Sequence, residues 1–383
     1  MQATPGMLSY AAPLGPIVVL VKGEFVATIA PVLSDLPIKP PYDPMEAERV
    51  SEIPAGEGWQ YEPKWDGFRA LVFRSEDEIY IQSKAGQPLG RYFPELVDEL
   101  LKLKQKHFVL DGEITISVGG RLSFDDLLLR IHPAATRVKK LAAESPAKFF
   151  AFDLLAEETK SGIVSIAESP LTERRERLES FFASVPDQSG VRLSPATEDP
   201  RIAKEWFEDF GALGLDGVMA KRSMEPYHSG DRDGMVKVKH FNTADCVVGG
   251  FRYATGSKAI GSLLLGLYDD AENLVFIGHT SSFKRQEKID LKEIVEPLIG
   301  ENPFSIRVPG GPSRWATEKT GEWSPLEPKL VIEVEFDYFS QGRFRHGSRF
   351  LRWRPDKKPK QCTMGQVDPK KRSSKVLKNL GME

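Results

Sequence analysis

The apolar pattern of this 383-residue chain changes character once, near residue 241, and that change limits the folds open to it. From residue 59, short strand-like runs (YEPK, FRALVF, IYIQS, FVLDGEITIS, KFFAFDLL, DGVMAKR, MVKVK) alternate with helical stretches. Helices are predicted at 91–105, where Leu96, Leu100 and Leu103 share a face, at 123–130 behind the cap Ser123, at 171–184, and at 199–213 behind Asp199. The gaps between strands are irregular, so a repeated βαβ unit is excluded. The prediction is an α+β fold of antiparallel sheets with helices packed outside.

After 241 the strands lengthen to DCVVGGFRYA, GSLLLGLYDD, NLVFIGHTSS and LVIEVEFDYFS, with one helix around 283–299. Four or five strands with one inserted helix in about 120 residues form the pattern of a small Greek-key barrel, of which the OB-fold is the commonest nucleic-acid-binding form. Residues 1–35 show few charges and no sustained period, and read as an extension. The proline-rich run 36–45, LPIKPPYDPM, is expected to lie extended across a surface. The organisation expected is therefore an extension at 1–35, a catalytic core at 36–241 and a barrel with a basic C-terminal segment at 242–383.

Composition excludes several classes. Hydrophobic residues at 40% and charged residues at 28% fit an ordinary globular protein. Two cysteines, Cys246 and Cys362, rule out a disulfide framework, and no zinc-ligand spacing occurs. The apolar run Ile17 to Val21 is far below the ~18 residues that span a bilayer, so no membrane association is expected and the location is read as cytoplasmic. With 52 basic against 55 acidic residues the net charge is -3, so affinity for a polyanion must come from clustering. Between Gln341 and Lys360 eight lysines and arginines accompany one acid, Asp356.

The chemistry concentrates in short runs. YEPKWDGFR (61–69) sets Lys64 after a proline and ahead of Asp66, Gly67 and Arg69; alone, a solvated lysine at a strand end explains such a tetrapeptide equally well. It is followed in order by DGE (111–113), FAFD (150–153), DGVMAK (216–221), KVK (237–239) and RWRPDKKP (352–359). As a nucleophile Lys64 would have to act as the neutral amine, and cations such as Lys237, Lys239 and Arg69 disfavour its charged form. Lys237 and Lys239, two apart on a strand, point the same way and can offset charge on a phosphate.

In order and spacing these runs resemble the covalent nucleotidyltransferase superfamily of DNA ligases and capping enzymes, with its K-x-D-G, D-G-E, aromatic-Asp, E-G-x-x, K-x-K and R-x-D-K motifs. The resemblance is strongest to the small bacterial LigC-type ligases and to the ligase module of the multifunctional end-joining ligase. It implies an adenylyltransferase core of ATP-grasp-like antiparallel sheets, an OB-fold barrel, and covalent attachment of AMP to Lys64. It further implies that Glu62 accepts from the adenine amino group, that Phe152 stacks on the base, and that Arg69, Lys221, Lys237 and Lys239 serve the nucleotide. Glu113 reaches the ribose and, with Asp216, holds Mg²⁺ or Mn²⁺. Asp216 stands where the family has glutamate, so a water-mediated contact is expected there. Asp153 braces the site.

Lys84, in Ser83–Gly86, resembles a phosphate-binding arginine of the family and keeps the charge without the fork. Arg354, Asp356 and Lys357 match R-x-D-K and are implied to orient the β,γ-phosphates on domain closure, with a hinge at 240–243. Arg343, Arg345 and Arg349 are expected to track backbone phosphates of nicked duplex DNA. The implied protein is a monomeric, nucleoid-associated ATP-dependent DNA ligase of repair, with a repair polymerase or Ku-like protein as its partner. An RNA ligase or capping guanylyltransferase, and a catalytically silent nick binder, stay open as alternatives.

Overall fold

The computed structural model describes residues 19–21, 24–26, 33–213, 215–239, 241–305, 309, 322–340 and 342–367. These fall into two compact units that divide after Val238. His240, part of the expected hinge, and most of the first 32 residues lie outside the described set.

The first unit is built on two sheets. The larger runs, in spatial order, through Gly162–Ser165, Lys148–Thr159, His107–Thr115, Phe68–Ser75 and Glu78–Ser83, then on to Val19–Val21 and Glu24–Val26. Val19–Val21 meets the sheet edge at Leu20 opposite Ile79, so part of the expected extension adds strands to the core. Pairing is antiparallel except for Val191–Leu193, a strand missing from the sequence reading, which runs parallel to Lys148–Thr159. The smaller sheet orders Glu48–Arg49, Met235–Lys239, Gly217–Arg222 and Trp59–Lys64.

Strand alternation explains how the large sheet is covered. Ala70 and Val72 face a cluster with Leu96, Val97, Leu100 and Phe181 of the helices, whereas Leu71 and Phe73 face a second cluster with Leu36, Ile38 and Met45. The proline-rich run lies across this sheet face, with Leu36, Ile38, Pro44 and Met45 buried and Pro37, Lys39, Pro41 and Asp43 exposed. Its apolar residues join a cluster on that sheet face to which, among the described residues, no helix contributes. Arg74, fully buried, donates to the carbonyls of Leu100, Leu101 and Leu103 and so satisfies the end of helix Pro94–Lys102.

Helices at Phe124–Leu129, Leu171–Phe182 and Pro200–Leu213 match expectation, and Ser123 accepts from the Asp126 backbone N–H as the predicted cap. Helix Ala135–Glu144 was not predicted; it buries only Val138 and Ala142, too thin a stripe to read.

The second unit is a five-stranded antiparallel sheet ordered Leu274–Thr280, Ile260–Tyr268, Asn242–Tyr253, Ser324–Phe336 and Arg349–Trp353. Helix Arg285–Val295 lies between the third and fourth strands in sequence. A bridge from Thr280 to Ser348 joins the two outer strands and curls the sheet toward closure, the OB-type barrel expected. Among the described residues no helix is long and apolar enough to cross a membrane.

Candidate active site

Strand Trp59–Lys64 ends at Lys64, and its antiparallel neighbour sets Gly217 opposite Lys64, Met219 opposite Glu62 and Lys221 opposite Gln60. The chain then turns at Gly67, where an added Cβ would lie 2.1 Å from the Ile114 carbonyl oxygen. Only glycine lets the lysine loop approach the strand that carries Glu113 this closely. On the other side Arg69 is the cross-strand partner of Glu113.

Phe152 reaches the same place by a different device. In the pairing of Lys148–Thr159 with His107–Thr115, Ala151 faces Gly112 and Asp153 faces Asp111, so Phe152 is the extra residue of a β-bulge. Bulges re-aim side chains, and this one turns the ring into the cleft. Arg69 and Lys221 lie over the ring, 4.5 and 4.6 Å from its centroid.

The result is a small cleft in the first unit. Glu62, Lys64, Arg69, Lys84, Glu113, Phe152, Lys221 and Lys237 all line it. Five cations, Lys64, Arg69, Lys84, Lys221 and Lys237, face three acids, Glu46, Glu62 and Glu113. Burial pushes the Glu113 carboxyl up to about 8, against the pull of Arg69 and Lys64, so at neutral pH it is largely protonated and the cation excess grows.

Lys64 Nζ lies 2.5 Å from Oδ2 of Asp216, and the Asp216 backbone N–H donates to the Lys64 carbonyl at 3.0 Å. The shorter aspartate thus contacts the lysine directly. Glu62 is buried and its Oε1 accepts from Gln60 at 2.7 Å and pairs with Lys221 at 2.9 Å. Arg69 does not act as a bare cation: Nε and Nη2 each donate to Asp111 at 2.6 Å. Asp111 also accepts from Tyr227, whose hydroxyl in turn accepts from the Met45 backbone N–H, which fixes the Pro44–Ala47 wall of the cleft. Asp153 pairs with the buried Arg174 at 2.8 Å, which holds its carboxyl below the usual range despite burial.

Several residues escaped the sequence reading. Asp111 stands in the D-G-E run itself, while Arg174, Tyr227 and Met45 are joined to the site only by the fold. Trp65 stacks on Phe150 with centroids 3.8 Å apart and donates to the Ser194 hydroxyl, clamping the residue next to Lys64.

Not every expected residue meets in the cleft. Lys239, the last residue of the strand Met235–Lys239, falls just past the division between the units, lies 3.6 Å from Asp337 and does not line the cleft. Arg354, Asp356 and Lys357 also lie in the second unit. The basic run around them is largely neutralised: Arg349 pairs with Glu335, Arg352 with Glu333 and Lys360 with Glu272, at 2.6–2.9 Å. The first two pairs are cross-strand neighbours in register, which a one-dimensional count of charges does not reveal. Arg343 stays exposed and Arg345 lies 5.9 Å from the centre of the Tyr338 ring.

Among the described residues no group of three or more histidines, cysteines or acids forms a self-sufficient metal site.

Comparison with known proteins agrees with this arrangement. The family model for the ATP dependent DNA ligase domain matches residues 44–239, and that for the ATP dependent DNA ligase C terminal region matches residues 256–357. DNA ligase C1 of Mycolicibacterium smegmatis is 44% identical over 344 residues, 87% of this chain and 96% of that one. The multifunctional non-homologous end joining protein LigD of Mycobacterium bovis is 29% identical over 79% of this chain and 37% of its own length. A solved Lig E DNA ligase shares the fold with a TM-score of 0.52 at 18% identity, over 82% of this chain and 99% of that one.

Proposed function

The chain belongs to the ATP-dependent DNA ligase family and is a DNA ligase that uses ATP, and we propose that Lys64 is the residue that becomes adenylated. The observation that supports this is the convergence of Lys64, Glu62, Arg69, Glu113, Phe152, Lys221 and Lys237 in one cleft.

In the proposed reaction Lys64 Nζ attacks the α-phosphorus of ATP. An N–P bond forms, the bond to the bridging oxygen breaks, and pyrophosphate leaves with the electron pair. Asp216, 2.5 Å from Nζ, is the group placed to take the proton that the amine gives up. Lys237 offsets charge on the α-phosphate, and Lys84 offers a second cation at the cleft. Phe152 stacks on the adenine, the base taking the place of a cation now over the ring. Glu62, fixed by Lys221, accepts from the exocyclic amine, and Arg69, fixed by Asp111, faces the sugar with Glu113.

A divalent cation, Mg²⁺ or Mn²⁺, held by Glu113 and Asp216 would supply further charge compensation at the phosphate. Arg354 and Lys357 are assigned to the β,γ-phosphates, and Lys239, with Lys237, to charge on the α-phosphate. Arg343, Arg345 and Arg349 are assigned to the DNA backbone. AMP then passes to the 5′-phosphate of a nick, and the 3′-OH displaces it.

The relationship to an end-joining protein suggests work in repair on the nucleoid, in the cytoplasm, with a repair polymerase or Ku-like protein as partner and the ligase itself a monomer. The test is sealing of a nicked duplex with ATP by the wild type and by Lys64→Ala. Loss of sealing with retained nick binding is expected; sealing by Lys64→Ala at the wild-type rate would overturn the assignment.

A further inference from the structure

In the second unit the guanidinium of Arg354 is shared by two carboxylates of opposite burial. Nη1 donates to Oδ1 of Asp245 at 2.6 Å, and the Asp245 side chain is 9% exposed. Nε and Nη2 donate to Asp356 at 3.0 and 2.9 Å, and the Asp356 side chain is 64% exposed. The second oxygen of Asp245, Oδ2, takes Lys357 Nζ at 2.9 Å. One buried carboxylate thus holds both cations of the R-x-D-K segment, one on each oxygen.

Asp245 is itself fixed. It sits on the central strand Asn242–Tyr253, opposite Glu333 in register. Its backbone N–H donates to the Gln366 side-chain oxygen at 3.0 Å, and its carbonyl accepts from the same side chain at 3.1 Å. Glu333 is no substitute, because it lies 3.9 Å from Arg354 and is bound by Arg352 at 2.6 Å.

We propose that Asp245 is a positioning residue for adenylation: it locks Arg354 and Lys357 in one arrangement and leaves the Nε and Nη2 edge of Arg354 on the solvent side for a phosphate of ATP. This rests on the reading of Arg354 and Lys357 as triphosphate ligands. Arginine and lysine side chains are long and lose much rotamer freedom when they grip a ligand, so a residue that fixes them beforehand lowers the cost of assembling the phosphate site. Guanidinium forks grip phosphate bidentately, and the edge shared with the exposed Asp356 has the required geometry. Arg354 holds the Asp356 carboxyl down at about 2, so a phosphate gains that edge by exchange and not by protonation of the acid.

The experiment compares wild type, Asp245→Asn and Arg354→Ala on two substrates, ATP for adduct formation and a chemically pre-adenylated nick for sealing, with melting temperatures alongside. Asp245→Asn is expected to slow adduct formation by about tenfold or more and to seal the pre-adenylated nick within about twofold of wild type, a split that a general loss of packing would not produce. Equal loss on both substrates, or adduct formation at the wild-type rate, overturns the proposal. If Arg354→Ala itself loses both activities equally, the triphosphate reading fails and the inference falls with it. If Arg354→Ala is selective for the first step and Asp245→Asn is not, only the inference fails. Should Asp245→Asn not fold, Asp245→Glu, which keeps the charge but displaces it by a methylene, is judged by the same split.

Discussion

Lys64 Nζ and Asp216 Oδ2 form a 2.5 Å ion pair between neighbouring strands of the smaller sheet. The pair places a proton acceptor beside the atom that must become a nucleophile. Asp216→Ala is expected to lower the rate of lysyl-AMP formation by about 10²-fold or more, in the range of a lost acid–base partner. Asp216→Glu, which restores the acid usual in the family, should retain most activity. A wild-type labelling rate in the alanine variant would remove Asp216 from the mechanism.

Glu113 gives a pH signature. Its carboxyl is pushed up to about 8 in the fold from an ordinary value of 4.5. Between these values the folded protein binds a proton that the unfolded chain has lost, so stability from this group is full below about 4.5 and falls as pH rises to about 8. Glu113→Gln should flatten that slope in melting temperature against pH. If the carboxylate serves a divalent ion, the metal concentration needed for adenylation should drop as pH rises toward 8 and level off above it. A metal requirement independent of pH across that window would contradict this role.

Gly67→Ala tests the close approach of the lysine loop. The new Cβ would fall 2.1 Å from the Ile114 carbonyl oxygen, so the lysine loop or the strand behind it has to shift. Overpacking of this kind costs about 1–3 kcal/mol, but the displaced residue sits three positions from the nucleophile. Adduct formation should therefore fall much further than denaturant stability does, by about 10²-fold. Proportionate loss of both would mean that the loop position does not matter to the chemistry.

How far the sequence revealed this arrangement differs from residue to residue. Lys64, Glu113, Phe152 and Lys221 lie in runs whose residue types state their chemistry, and they meet in the cleft. Four long strand-like runs with one inserted helix foretold the barrel. What stayed hidden depends on contacts between distant segments: the Asp111–Tyr227 bond spans 116 residues and the Asp153–Arg174 pair joins a strand to a helix. In the basic run 343–360, the partners of Arg349 and Arg352 are Glu335 and Glu333 on an adjacent strand, which a reading along the chain does not bring together. The run 36–45 keeps Pro37, Lys39, Pro41 and Asp43 exposed, while Leu36 and Ile38 are buried, a division that prolines alone do not reveal.

Phe152 should set affinity for the nucleotide. Removing an aromatic platform under a base costs about 1–3 kcal/mol, so Phe152→Ala should raise the KM for ATP by about 5- to 150-fold, while Phe152→Tyr should stay close to wild type. Because Arg69 and Lys221 lose their ring partner too, a melting curve is needed beside the kinetics. An unchanged KM in a stable Phe152→Ala protein would exclude stacking.

The most direct test of the account is to incubate the protein with labelled ATP and divalent metal, digest it, and map the adenylated peptide by mass spectrometry. The account predicts a single AMP on Lys64 and no adduct in Lys64→Ala. AMP found on any other residue of the wild-type protein, or a Lys64→Ala protein that still becomes labelled, would contradict it.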